Sequence, residues 1–232
     1  MLKLSLQENS INTANLYLSN KMLLRRNRHA PSIVDITSRG QPERKKVEQF
    51  IKDIYAKSYN AEISVDYPVL MSVRDRDGNI LAAVGIRYAE AENLFLEQYT
   101  DLSIDKVLGS KRRTIAEIGN LASVGGGASV FLFAALASYL DFKGIEHAVM
   151  TGTTNLRGVF KKLGLDTYKI CDACMSALNK GGQNWGSYYD TAPQVLTGSV
   201  SKGLGKLRRA LKAEFKERQL PFTARLHYKI KN

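Results

Sequence analysis

Residues 113–140 read RTIAEIGNLASVGGGASVFLFAALASYL, and this stretch decides the fold. Arg113 to Val124 is β-capable and runs into Gly125-Gly126-Gly127. Ala128 to Leu140 follows as a helix rich in Ala, Leu and Phe, with Gly144 placed to close it. A strand that passes through glycines into a helix exposes backbone N–H groups at the positive helix end. Small residues there let an anion approach closely. The turn is not a Walker A motif, because no Gly-Lys-Ser/Thr follows. Nor is it the dinucleotide G-x-G-x-x-G, because Val130 stands in the third glycine's place. Taken alone, it reads equally as a tight strand-to-helix connection.

Upstream, Pro42 to Tyr59 reads as a helix, with Val47, Phe50, Ile51 and Ile54 at helical spacing. Val69 to Arg74 and Ile80 to Tyr88 read as strands joined by Asp75-Arg76-Asp77-Gly78-Asn79. Asp-Gly supplies the positive φ angles that a hairpin turn demands. Leu94 to Gln98 is expected as a short edge piece. Downstream, Ile145 to Thr151 is strand-like, and Thr153 or Thr154 caps a helix from Asn155 to Leu163 that Gly164 ends. Thr167 to Met175 is extended, and Trp185 to Tyr189 with Val195 to Val200 forms the last strand region. Lys202 to Arg218 reads as an amphipathic helix with Leu204, Leu207, Leu211 and Phe215 on one face. This order predicts an α/β (α+β) fold: a mixed central sheet flanked by helices, with at least one parallel crossover.

The chain has 232 residues and a net charge of +12, unevenly placed. Residues 1–46 hold nine Lys/Arg against three acids, and 201–232 hold ten against two. Residues 47–200 hold 15 against 17. Three regions follow: a basic N-terminal arm or extra strands (1–46), a central domain (47–200), and a basic C-terminal helix and tail (201–232). Basic ends suit phosphates, an anionic membrane surface met peripherally or an acidic protein, and solubility accounts for them equally well. No recognition motif points to specific nucleic acid. No apolar run is long enough to span a bilayer, and the first 20 residues lack a secretory h-region, so a cytoplasmic protein is expected. Cys171 and Cys174 are the only cysteines and read as ordinary thiols. His29, His147 and His227 are scattered, so no metal is assigned. The missing G-x-S-x-G elbow argues against a serine lipase.

Residues 113–165 resemble the central half of a GNAT (N-acetyltransferase-like) acyltransferase. Gly125-x-Gly127 or Gly126-x-Ala128 fits that family's pyrophosphate loop, and Lys162-Leu163-Gly164-Leu165 fits the end of its second central helix. The likeness is closer to the thermostable hemolysin family, a group also similar to acyl-homoserine-lactone synthases. Three segments carry it: Ile115 to Ala122; Thr151 to Leu165 with Asn155-Leu156-Arg157; and Trp185-Gly186-x-Tyr188-Tyr189-Asp190 followed by Pro193-x-Val195. Together they cover roughly residues 65–200. The resemblance implies acyl transfer from acyl-CoA or an acyl-phosphopantetheine arm, used as donor substrate rather than as a tightly bound cofactor. Two residues depart from the family pattern. Ala122 or Ser123 stands where the loop opens with Gln or Arg, which favours an acidic acyl carrier protein over coenzyme A. Phe160 stands where many GNAT enzymes carry a Tyr that protonates the leaving thiolate.

The implied roles are these. Val124, Gly125, Gly126, Gly127, Ala128, Ser129 and Asn155 receive the donor. Glu117 is the candidate base, its pKa raised by partial burial, with an ion pair to Arg113 or Arg157 as the plain alternative. Asn120 and Asn155 orient substrate, or serve only a turn and a cap. Arg157 binds a phosphate or carboxylate, and Trp185, Tyr188 and Tyr189 line a pocket for the acyl group or a small-molecule acceptor. A membrane-active lysin and a non-catalytic carrier- or lipid-binding module are the rival classes.

Overall fold

The computed structural model describes residues 2–19, 30–178, 184–212 and 214–217. Ten strands form one mixed sheet: β1 (Leu2–Glu8), β2 (Ile11–Leu18), β3 (Pro31–Ser38), β4 (Val69–Asp75), β5 (Ile80–Tyr88), β6 (Ile115–Ser123), β7 (His147–Gly152), β8 (Tyr168–Asp172), β9 (Gln194–Ser199) and β10 (Glu214–Glu217). Their order is β10-β2-β1-β3-β4-β5-β6-β7-β9-β8. Among the described residues two strand pairs are parallel, β1 with β3 and β6 with β7. The helices are α1 (Arg44–Tyr59), α2 (Ile104–Leu108), α3 (Ala128–Phe142), α4 (Thr154–Lys162) and α5 (Val200–Leu211).

Strand periodicity sorts the core into two layers. Met71, Val73, Ala82 and Val84 face the layer that holds α3 and α5. Their neighbours Leu70 and Ala83 face the layer that holds α1. Helix α3 is buried nearly all round, because it lies between the sheet and α5. Helix α1 buries only Arg44, Val47, Ile51 and Tyr55 and leaves its lysines in water.

The hairpin of β4 and β5 turns at the expected Asp77-Gly78, with Gly78 at φ +85°. The mixed sheet with flanking helices and a parallel crossover from β6 through α3 to β7 is as expected. The extreme N-terminus does form a hairpin. Asn9 and Ser10 both take positive φ, and the hairpin continues the sheet through β3. The basic residues Lys21, Arg25, Arg26 and Arg28 lie outside the described residues, as does the tail from Arg218.

Three local expectations are corrected. Residues 95–99 form a 3₁₀ turn rather than an edge strand, because Glu97 accepts the backbone N–H groups of Leu94 and Ile104 and curls the chain. Trp185 to Tyr189 is a tight turn, with Gly186 at φ +51° pressed against the backbone of α1's C-terminus. The last helix stops at Leu211, where Lys212 turns left-handed at φ +49°, and Phe215 lies in β10 opposite Leu16.

Candidate active site

The site begins with a break in the sheet. The ladder between β6 and β7 ends at Ile118↔Met150. Beyond it, β6 stays with β5 and β7 stays with β9, so the two strands part. A bulge in β6 sharpens the parting. Gly85 pairs Gly119 and Ala83 pairs Ala122, so three steps on β6 oppose two on β5, and Asn120 takes φ +50° to fit. The extra residue inverts the facing pattern: Ile118 belongs to the α3 layer, Ala122 to the α1 layer.

A cavity of about 520 Å³ occupies the opening and extends to both faces of the sheet. Native cores leave few voids larger than a water molecule, whereas ligand pockets run to roughly 300–1,000 Å³. On the α1 face its walls are polar and aromatic, with Tyr55, Tyr67, Arg87, Tyr99, Trp185 and Tyr188. On the α3 face they are mainly aliphatic and aromatic hydrocarbon, with Ser129 at the start of α3 and Asp166, Thr167 and Ser199 at the far rim.

Glu117 sits on the α1 face of β6 and is 1% exposed. Its carboxylate accepts the backbone N–H groups of Phe95 at 2.8 Å and Leu96 at 3.0 Å, and a hydrogen bond from the Tyr67 hydroxyl. Burial pushes its pKa up to about 7, against the opposing pull of those donors and of Arg87. The ion pair with Arg113 or Arg157 is replaced by this grip of backbone amides.

Tyr67 is the residue that sequence reasoning missed. Its ring lies flat on the Gly85–Gly119 pair. A Cβ on Gly119 would come 1.8 Å from the phenol oxygen, and one on Gly85 would come 2.4 Å from the ring. Both glycines are therefore required for the ring to reach Glu117. Burial first, then the nearby Glu117 charge, holds the Tyr67 phenol neutral. The Arg87 guanidinium stacks 5.0 Å from the ring centre and also pairs with Glu92. Arg44, itself buried, fixes the chain on either side by donating to the carbonyls of Tyr67 at 2.6 Å and Pro68 at 3.1 Å. An isolated glycine within an apolar strand is the signal that marks such a close approach.

The turn that grips Glu117 is held in its own right. Arg112 donates to the carbonyls of Ala89 and Glu92 and pairs with Glu97 at 2.7 Å and Asp105 at 3.2 Å. Burial alone would raise the Glu97 pKa, but Arg112 and two backbone N–H donors hold it below its ordinary value.

The remaining expected residues divide. Asn120, Ser129, Asn155, Trp185 and Tyr188 line the cavity, and Asn120 also bonds the Tyr55 hydroxyl. Thr153, not Asn155, caps α4 by accepting the Leu156 N–H. Tyr189 is not a wall: it packs against Trp185 and Tyr188, and its hydroxyl meets that of Tyr99 at 2.6 Å. Arg157 is held by Gln194 and Thr154, away from the walls. Val124, Gly125 and Gly126 are exposed at the cavity's edge, between the lining residues Ser123 and Ser129. All three glycines take positive φ (83°, 61° and 88°), which carries β6 into α3 without a side chain in the way. Ala128 is fully buried beneath them. Phe160 packs against Phe133 within the α3 layer, the two rings tilted at 58°.

A bulged strand that parts from its parallel neighbour, and a glycine turn opening the next helix at the gap, define a GNAT-like acyltransferase fold. Three solved structures share it. The acyl-homoserine-lactone synthase LasI is 17% identical with a TM-score of 0.51, covering 77% of this chain and 93% of its own. BjaI, a CoA-dependent acyl-homoserine lactone synthase solved with SAM and isopentyl-CoA, is 12% identical with a TM-score of 0.55, covering 77% and 89%. FeeM, an N-acyl amino acid synthase from uncultured soil microbes, is 14% identical with a TM-score of 0.50, covering 75% and 99%. Residues 37–204 match the thermostable hemolysin family model, and the chain belongs to that family. No curated protein matches the sequence significantly. Among the described residues, no helix is long and apolar enough to cross a membrane.

Proposed function

We propose that the protein moves an acyl group from a thioester, on coenzyme A or an acyl carrier protein, to the amine of a small acceptor. One observation carries this reading: a buried carboxyl with a pKa of about 7 sits behind a tyrosine that lines a cavity at the parted strands. A general base works best when its pKa lies near the working pH.

The donor's phosphates meet Gly125, Gly126, Gly127 and the first turn of α3, where helix N–H groups and dipole favour negative charge. Ser129 supplies a hydroxyl at the same edge. The thioester carbonyl then lies in the gap beside Gly119 and Asn120. The acceptor occupies the aromatic α1 face, against Trp185 and Tyr188. Its nitrogen attacks the carbonyl carbon, so a C–N bond forms as the C–S bond breaks. The amine proton passes to the Tyr67 hydroxyl as that hydroxyl gives its own to Glu117. The thiolate leaves and takes a proton from water, because Phe160 has none to give. The basic face of α5, with Arg208 and Arg209 in its last turn, is the candidate contact for an acidic carrier protein.

The test is thiol release and product mass, with acyl-CoA and acyl-carrier-protein donors offered alongside pooled amines and amino acids. A new acyl amide with stoichiometric free thiol is the expected result. A folded protein that releases thiol from none of these donors overturns the reading, and dye leakage from liposomes would then favour the direct lysin.

A further inference from the structure

The cavity's second compartment lies on the far side of the sheet from Glu117. We propose that it holds an acyl tail of at least eight carbons, and that Ala137 and Gly203 set its depth. This rests on the reading above, because the acceptor must stay beside Glu117, which leaves the α3 face for the tail.

The walls decide the chemistry. Leu136 and Leu140 of α3, Met150 of β7, Val159 of α4, and Val200 and Leu207 of α5 surround the space. These walls carry no charge or strong hydrogen-bonding group, so a polar acceptor would lose its hydration there without replacement. A hydrocarbon chain loses nothing. Polar groups return at the ends, at Ser129 beside the glycine turn and at Asp166, Thr167 and Ser199 on the far rim. The wall from Phe133 to Leu140 advances seven residues along α3, about 10 Å at 1.5 Å per residue, the length of roughly eight extended methylenes.

Small residues keep the space open. Gly203 lies within α5, where glycine costs stability relative to alanine. A Cβ there would meet only Leu165, at an ordinary 3.7 Å. Packing therefore does not demand glycine at this position, whereas free passage along the channel does. Ala137 of α3 lines the same cavity, between Leu136 and Leu140 in sequence but with a much smaller side chain.

The experiment measures kcat/KM for C4, C6, C8, C12 and C14 thioesters, with C12 fatty-acid binding by native mass spectrometry as a second readout. Wild type should gain about fourfold per methylene up to at least C8, as each CH₂ leaves water. Gly203→Leu should lower the C12-to-C4 ratio at least tenfold while melting no earlier than wild type, and Ala137→Leu should do the same. A flat length profile with active enzyme overturns the channel and leaves acyl transfer standing. An unchanged C12-to-C4 ratio in both folded variants does the same. If no thioester is consumed but C12 acid binds and Gly203→Leu abolishes that binding, the channel stands and the acyl-transfer reading falls.

Discussion

The two sides of the sheet are built on opposite plans. On the α1 side the polar groups around Glu117 are gripped: Glu117 by two amides and Tyr67, Tyr67 by a glycine pair, and the gripping turn by Arg112. On the α3 side the central walls hold hydrocarbon, polar contacts such as Lys206–Asp166 lie at the rim, and small residues leave space. The first side resembles a preorganised electrostatic site, which needs fixed dipoles. The second, as the proposed tail channel, would select by volume and apolar area. Changes on the first side should therefore alter rate for every donor, and changes on the second should alter only the ranking of donors.

The largest effect expected is that of Glu117→Gln, which should lower kcat/KM about 10²- to 10⁴-fold for short and long donors alike. The rise of wild-type activity with pH through about 7 should vanish with it, because the proposed base acts only when ionised. A donor-dependent loss would break the division between the two sides. Tyr67→Phe keeps the ring on its glycines but removes the relay, and about a tenfold to hundredfold loss in kcat with an unchanged melting temperature is expected.

Stability offers a different probe of the same carboxyl. Its folded pKa, about 7, lies above the unfolded value near 4.3. Below both values it is protonated in either state and burial costs little. As pH rises from about 4.5 to 7, the unfolded chain ionises first, so this group withdraws roughly 3 kcal/mol of stability. Urea melts of wild type and Glu117→Gln across that window should diverge in that direction. Gly119→Ala drives a Cβ into the Tyr67 phenol and should cost about 1–3 kcal/mol. A smaller combined loss with Tyr67→Ala than the two single losses added would tie the cost to this one contact. The smallest effect, about 1–2 kcal/mol, is expected from Arg112→Ala, whose partly exposed pairs are screened by water. Its kcat should fall further than its stability, because the loosened turn carries the amides that hold Glu117.

Local signals were the legible ones. The glycine turn, the Asp77-Gly78 hairpin and the polar residue Glu117 inside an apolar strand can all be read from a few neighbouring residues. The helix boundary at Leu211 was not, because Phe215 continues the apolar spacing of α5 while its backbone joins β2. Trp185 to Tyr189 has strand-like composition, yet Gly186 must turn to clear the carbonyl of Tyr59, far away in sequence. Tyr67, Arg87 and Arg112 act only through partners brought by the sheet, and no spacing along the chain announces them. Gly85 and Gly119 were the visible trace, since neither sits in a turn and each leaves room for Tyr67.

The sheet's outer edge has a consequence for synthesis. Strand β2 is covered by β10, and Ser19 at its end is tied to the carbonyls of Leu211 and Lys212. The N-terminal hairpin therefore emerges from the ribosome with an open edge. Its covering strand follows roughly 200 residues later, about 10–40 s at usual translation rates. An open strand edge is a template for pairing with another chain. Through that interval β2 is an unpaired strand edge, and residues 214–217 are what close it.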